Sequence, residues 1–546
     1  MLNIPRPVST LIASLTIIIA ASGWAVAAGI LNSKHNLSVS GPGTIKATNE
    51  ERVCIFCHTP HHANPFTPLW SRPTSSAIYD LYESTTLVAK PGQPSGSSRL
   101  CLSCHDGTIA LGAFFGTADS IPMAGGITTM PTNSSANLRT DLRNDHPISF
   151  AYNDELVLLN GQLNPPSNLL PSKIRLEGGD MLQCTSCHNP HTDPYGKFLV
   201  MDNAASALCK TCHNMTGWST STHATNPSTG AGCILCHVSH NASGRARLLK
   251  FEAEEANCYQ CHSASGTAKD IQIVANKFYS HPMEATTGIH DPAENPLTAQ
   301  KHVECNDCHN PHQAKTATAT APAASGPLAG VKGVSSSGIV LTTPVTNQYE
   351  VCFRCHAGNS FYNTQTVLRQ IQELDTRLDF DPLNPSFHPV LTFGKGTQVP
   401  SLRTQLSTSS MIYCTDCHSN DDNSQAKGPH GSNNKHILVD RYESDTYPLD
   451  YSDANYALCY RCHDQNILLD PMRSAFPHHQ SHLVTYKVPC SVCHDSHGVP
   501  QSRGANINAN AHLINYDIRF VTSGGTYDSV AKSCTVSCHA ANPKYY

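Results

Sequence analysis

Apolar residues are scattered in short pieces along nearly the whole chain. The exception is at the start, where residues 11–21 form a compact apolar run after Arg6 and lead to Ala25-Val26-Ala27. That order of a basic start, an apolar stretch and a small-x-small site reads as a signal peptide over 1–27. Residues 11–30 are barely long enough to span a bilayer and are interrupted by Ser14, Thr16, Ser22 and Gly23, and no later stretch approaches a span. The remaining pattern predicts short helices, as at Asn455-Tyr456-Ala457-Leu458-Cys459 and near 364–378, joined by long irregular loops with little β structure. An Ala/Thr/Ser/Pro/Gly-rich stretch over 313–347 reads as a flexible surface loop.

Composition explains why the pieces are short. Of 546 residues only 39% are hydrophobic and 14% charged, with 34 Gly, 36 Pro and a net charge of -5. Charge this mild excludes a basic nucleic-acid binder and an acidic tail. Large apolar cores are not expected, so something other than side-chain burial must hold the chain.

The 24 Cys and 31 His supply it. Eleven times the sequence reads C-x-x-C-H: Cys54, Cys57 and His58; Cys101, Cys104 and His105; Cys184, Cys187 and His188; Cys209, Cys212 and His213; Cys233, Cys236 and His237; Cys258, Cys261 and His262; Cys305, Cys308 and His309; Cys352, Cys355 and His356; Cys414, Cys417 and His418; Cys459, Cys462 and His463; Cys490, Cys493 and His494. A twelfth copy, Cys534, Cys538 and His539, is one residue longer. All 24 cysteines are used, which leaves none for a disulfide framework. C-x-x-C-H is the attachment signature of c-type haem, two thioethers to the porphyrin and the adjacent His as proximal iron ligand. Zinc arrays do not need a His after every pair, and a redox dithiol needs only one copy. Twelve haem c groups are therefore expected.

Nineteen His remain for the sixth positions. The first, third, fifth, seventh and eleventh motifs carry another His three residues on: His61, His191, His240, His312 and His497. The even-numbered motifs lack it. This alternation predicts six two-haem repeats, over 28–140, 141–218, 219–270, 271–365, 366–470 and 471–546. A His so close to the proximal ligand cannot pass round the porphyrin edge, so it is expected on the second haem of its own pair. The ninth motif lacks the +3 His, and His430 is the substitute, with His436 as rival. The first haem of each pair then draws on an upstream His: His35, His146, His223, His281, His388 and His482. His302 rivals His281, and His478 and His479 rival His482.

The succession Cys184-Thr185-Ser186-Cys187-His188-Asn189-Pro190-His191 and Leu208-Cys209-Lys210-Thr211-Cys212-His213 resembles the doubled C-x-x-C-H repeat of multihaem cytochromes c. The segment Ser33-Lys34-His35-Asn36-Leu37-Ser38, and the first motif with His61 and Leu69-Trp70, resemble the start of such proteins in metal-reducing bacteria. The resemblance implies bis-His haems in a closely spaced chain, and electron transfer across the periplasm or outside the cell. It also extends to haem-chain proteins that polymerise into extracellular wires.

After removal of 27 residues, 519 serve twelve haems, roughly 43 each, too few for a separate domain around each. The expected fold is mostly irregular with short α-helices and little β, its core made of stacked haems. Propionates would make the holoprotein more acidic than -5, which favours basic partner faces and cations. The expected function is an electron conduit, not an enzyme, since catalysis needs an iron with an open sixth position. A nitrite- or hydroxylamine-type reductase is the alternative. So is a filament, if a residue such as His35 serves a neighbouring subunit. Expected partners are other redox cytochromes, an outer-membrane porin-cytochrome complex or an extracellular metal oxide, with no nucleic acid and no membrane span after signal cleavage. The expected location is the periplasm or the outer cell surface.

Overall fold

The computed structural model describes residues 29–539 apart from 66, 68, 227–229, 231, 285–287, 301 and 359–366, together with 544 and 545. The expected signal peptide over 1–27 lies outside them. Helices are short, and the longest, Gly96–His105, has 10 residues. Strands are shorter still. Phe150–Ala151 pairs with Met181–Leu182 and Tyr279–Ser280 with Gly431–Ser432, both antiparallel. At the C-terminal end Gly525–Asp528, Ser533–Val536 and Lys544–Tyr545 make a three-stranded antiparallel sheet. Among the described residues no helix is long and apolar enough to cross a membrane.

The short apolar pieces cannot build one core, and they do not. Among the described residues, burial is divided among eight small clusters, the largest with six buried residues each. An irregular backbone that is buried must find hydrogen-bond partners away from sheets and helices. Small polar side chains provide them: Ser98, Ser432 and Ser491 are fully buried, and Ser432 Oγ donates to Leu438 O at 2.6 Å. Arg72, 1% exposed, donates to Leu111 O, Ala110 O and Ser103 O at 2.5, 2.8 and 3.1 Å, fixing the approach to the second motif.

Two expectations about elements change. The helix foreseen near 364–378 falls partly outside the described residues; from 367 to 375 the chain is irregular, and one turn, Thr376–Asp379, follows. The stretch 313–347 has a buried underside. Val331 and Val345 pack with Val351, and Val334 packs with Tyr349 and Phe353 beside the eighth motif. Its small residues suggested solvation, but its widely spaced valines are enough to seat it.

Candidate haem-binding sites

Each C-x-x-C-H folds as one helical turn. Spacing of i, i+3 and i+4 puts both thiols and the imidazole on one face. The turn is closed by the His N–H donating to the carbonyl of the first Cys, at 2.8 Å for His58 and Cys54, 3.0 Å for His188 and Cys184, and 2.9 Å for His494 and Cys490. The alternation seen in sequence is structural. Odd-numbered motifs begin at or within a residue or two of the start of an isolated turn, such as Cys184–Cys187 and Cys305–Cys308. Even-numbered ones end a helix that arrives from upstream, such as Gly96–His105 and Tyr349–His356. The longer twelfth motif cannot close the same turn. Cys534 sits on the strand Ser533–Val536, and His539 N donates to Val536 O at 3.0 Å.

The proximal-position histidines face a second imidazole. Two rings bound to one metal from opposite sides, with metal–nitrogen bonds of about 2.0–2.1 Å, would have centroids about 6.3 Å apart. His58 and His191 are 6.1 Å apart, His105 and His35 6.2 Å, His188 and His240 6.1 Å, and His213 and His146 6.2 Å. His237 and His312 are 6.2 Å apart, His262 and His223 6.4 Å, His309 and His430 6.1 Å, and His356 and His281 6.2 Å. His418 and His497 are 6.1 Å apart, His494 and His479 6.3 Å, and His539 and His482 5.9 Å. His463 is lowered first by burial and next by the charge of His388.

These placements differ from the expected register. The +3 His does not meet the second proximal His of its own pair; it meets the first proximal His of the preceding pair, as His191 meets His58. The upstream His serves the second site, as His35 meets His105. A hydrogen bond at the junction explains both. His35 Nδ1 donates to Pro190 O at 3.0 Å, His223 to Pro311 O at 2.8 Å, His281 to Pro429 O at 2.7 Å and His388 to Ser496 O at 2.5 Å. Each acceptor carbonyl immediately precedes a +3-type His, so the upstream His of one pair and the +3 His of the next are seated together.

His61 belongs to the first pair of this register. It is exposed, and among the described residues its ring meets no other. His494 is not met by a +3-type His. His479 faces it instead, and His482 Nδ1 donates to His478 O at 2.9 Å, the carbonyl just before His479. The junction is thus rebuilt within one segment. A register offset of one pair would have pointed to this substitute. The rivals separate cleanly: His430, not His436, faces His309, and His281, not His302, faces His356.

Protonation and orientation fit metal binding. A carbonyl can only accept, so an Nδ1 bonded to one carries the proton and leaves the Nε2 lone pair for the metal. His105 donates to Ala136 O at 2.7 Å, His188 to Lys197 O at 2.8 Å, His237 to Arg247 O at 2.8 Å, His418 to His436 O and His494 to His512 O, both at 2.9 Å. Burial lowers His146, His312, His418, His430, His463 and His494 to about 4, so all are neutral at pH 7.

The carbonyl facing the odd-numbered proximal His comes from a turn that sequence reading missed. Lys197-Phe198, Arg247-Leu248, His436-Ile437 and His512-Leu513 are consecutive residues at positive φ, between 52° and 64°. Such backbone is strained for non-glycine residues. It is held by return to the motif: Val200 N donates to Cys187 O at 2.9 Å, Lys250 N to Cys236 O at 2.9 Å and Val439 N to Cys417 O at 2.8 Å. The sequence signal is an apolar doublet downstream of each odd motif, of which Leu69-Trp70 is the first; His58 bridges to Trp70.

The cysteines lie in single file. The first Cys of each even-numbered motif neighbours the first Cys of the motif that follows, Cys101 beside Cys184, Cys209 beside Cys233, Cys258 beside Cys305, Cys352 beside Cys414 and Cys459 beside Cys490. Within a pair, Cys57 neighbours Cys104, Cys187 neighbours Cys212, Cys236 neighbours Cys261 and Cys417 neighbours Cys462. Cys308 likewise neighbours Cys355, and Cys493 neighbours Cys534 and Cys538. The attachment points follow one another in chain order. Paired thiols on a turn with opposed neutral imidazoles form the donor set of c-type haem.

Comparison with protein families finds the doubled CXXCH motif at residues 177–217, 226–267 and 408–467. This arrangement defines multihaem c-type cytochromes, whose general activity is electron transfer. No curated protein matches the chain.

Proposed function

We propose that the chain is a dodecahaem cytochrome that conducts electrons along its length and catalyses no reaction of its own. The observation that supports it is the single file of attachment points, together with a second imidazole facing eleven of the twelve proximal His and His388 near the remaining one, His463. The 24 Cys and the twelve His that follow them would hold the groups. The opposing ligands would be His35, His146, His191, His223, His240, His281, His312, His388, His430, His479, His482 and His497. Bound haem c would supply one-electron iron chemistry, with potentials set by axial ligand and burial.

The chain's own contribution is positional. Carbonyls hold a proton at Nδ1 and fix each ring plane. Paired histidines leave no sixth position for a substrate, which separates this reading from the reductase. His35 faces His105 of its own chain, so a filament built by lending His35 to a neighbour loses its donor. The proposed repeats are 28–140, 141–218, 219–270, 271–365, 366–470 and 471–546, after a signal peptide over 1–27. We place the protein in the periplasm or on the outer surface, exchanging electrons with other cytochromes, a porin-cytochrome complex or a metal oxide.

Haem analysis of the purified holoprotein should give twelve haems per chain, and the reduced protein should bind essentially no carbon monoxide. One high-spin iron in the wild type would replace the conduit by a reductase.

A further inference from the structure

Seven histidines lie outside the haem register, and the structure brings two of them, His290 and His302, together. The rings of His290 and His302 are 6.4 Å apart, the same separation as the haem-type pairs. No cysteine pair is left to attach a porphyrin there, since all 24 are used. The space between the rings is lined by carboxylates. His302 Nε2 lies 3.1 Å from Glu294 and 3.9 Å from Asp307. His290 Nδ1 lies 3.4 Å from Asp307, 3.5 Å from Glu304 and 3.9 Å from Glu294. One ligand atom from each of His290, Glu294, His302 and Asp307 can be chosen so that all four lie within 4.8 Å of one another.

Two independent observations point to a ligand. His290 is 6% exposed, and its Nδ1 is buried with no hydrogen-bond partner while aimed into the cluster. A buried nitrogen left so is costly unless something binds it. The charge is also unbalanced. Glu254, Glu304 and Asp307 are all under 8% exposed, Glu294 is half-buried, and one guanidinium, Arg354, faces them. Buried carboxylates in that excess call for a further cation.

We propose that His290, Glu294, His302 and Asp307 form a non-haem site for a divalent transition ion of the zinc type. Two imidazole nitrogens with two carboxylate oxygens suit a tetrahedral borderline ion, whereas calcium and magnesium prefer all-oxygen shells. The surroundings orient the ligands. His302 Nδ1 donates to Gln300 O at 2.7 Å, which turns its Nε2 inward. Arg354 donates to Asp307 Oδ1 at 2.8 Å, and Glu304 N to Asp307 Oδ2 at 2.8 Å. Glu254 accepts from His290 N at 3.0 Å and Asn306 N at 2.8 Å. Asp307 lies inside the seventh C-x-x-C-H and Arg354 inside the eighth, so the ion ties the segment carrying His290 and His302 to two haem attachments.

The test uses the full holoprotein, loaded with Zn2+, desalted, and measured for zinc per chain and by X-ray absorption at the zinc edge. We expect one zinc per chain with two imidazoles and oxygen ligands at about 2.0–2.1 Å. His290→Gln and Glu294→Gln should each lower retained zinc at least tenfold at unchanged haem content, and chelation should lower the wild-type melting temperature. Wild type retaining no zinc, variants retaining as much as wild type, or a zinc shell without imidazole overturns the site. If His290→Gln fails to mature, Glu294→Gln, outside every haem motif, and the wild-type spectrum decide.

Discussion

At the scale of single residues, the ligand register makes two histidines opposites. His61 has the sequence position of a ligand and no imidazole to oppose. His479 lacks that position and faces His494 at 6.3 Å. His479→Gln should therefore open one iron in twelve, seen as a matching high-spin fraction and carbon monoxide binding to the reduced protein. His61→Gln should leave the spectrum of the monomer unchanged. The same spectral change in both variants would return the register to one without an offset. Spacing alone identified the +3 histidines but not the proximal-position rings they face. A side chain's reach bounds the choice to a neighbour, and packing at the Pro190, Pro311 and Pro429 carbonyls selects which neighbour.

At the scale of elements, the paired left-handed residues after odd motifs aim a carbonyl at the proximal ring. Lys197 has φ 52° and an exposed side chain. Lys197→Gly should be neutral or stabilising by about 1 kcal/mol, and Lys197→Val should cost about 1–3 kcal/mol, read by urea denaturation. Equal effects of the two would remove strain from the turn. The 313–347 stretch makes a contrasting case. Val334 is fully buried in it. Val334→Asp would bury an unpaired carboxylate at roughly 3–5 kcal/mol and should render the stretch sensitive to limited proteolysis, while the wild type resists. Low-complexity composition hid this packing because three buried valines among many small residues do not alter an average.

At the scale of the whole molecule, neutral buried imidazoles link stability to pH. Burial lowers His146, His312, His430 and His463 to about 4, whereas an unfolded chain binds protons near about 6.5. Below about 6.5 the unfolded state takes up more protons, so stability is complete above that pH and declines as pH falls toward 4. Thermal unfolding of the holoprotein should show the melting temperature flat above about pH 7 and dropping below 6, together with loss of the low-spin spectrum. A melting temperature that rose on acidification would mean that these rings are protonated in the folded state.

By itself the sequence determined the attachment chemistry. C-x-x-C-H is a local device, and one turn of backbone places both thiols and the imidazole without help from elsewhere. It also determined the absence of a large apolar core, the alternation of two motif types and the supply of spare histidines. Tertiary structure decided which imidazole opposes which, the placing of His479 against His494, the seating of 313–347 and the meeting of His290 with His302. Each of these joins segments separated in the chain. Local spacing limits how far a side chain reaches, and only the packed fold says what waits there.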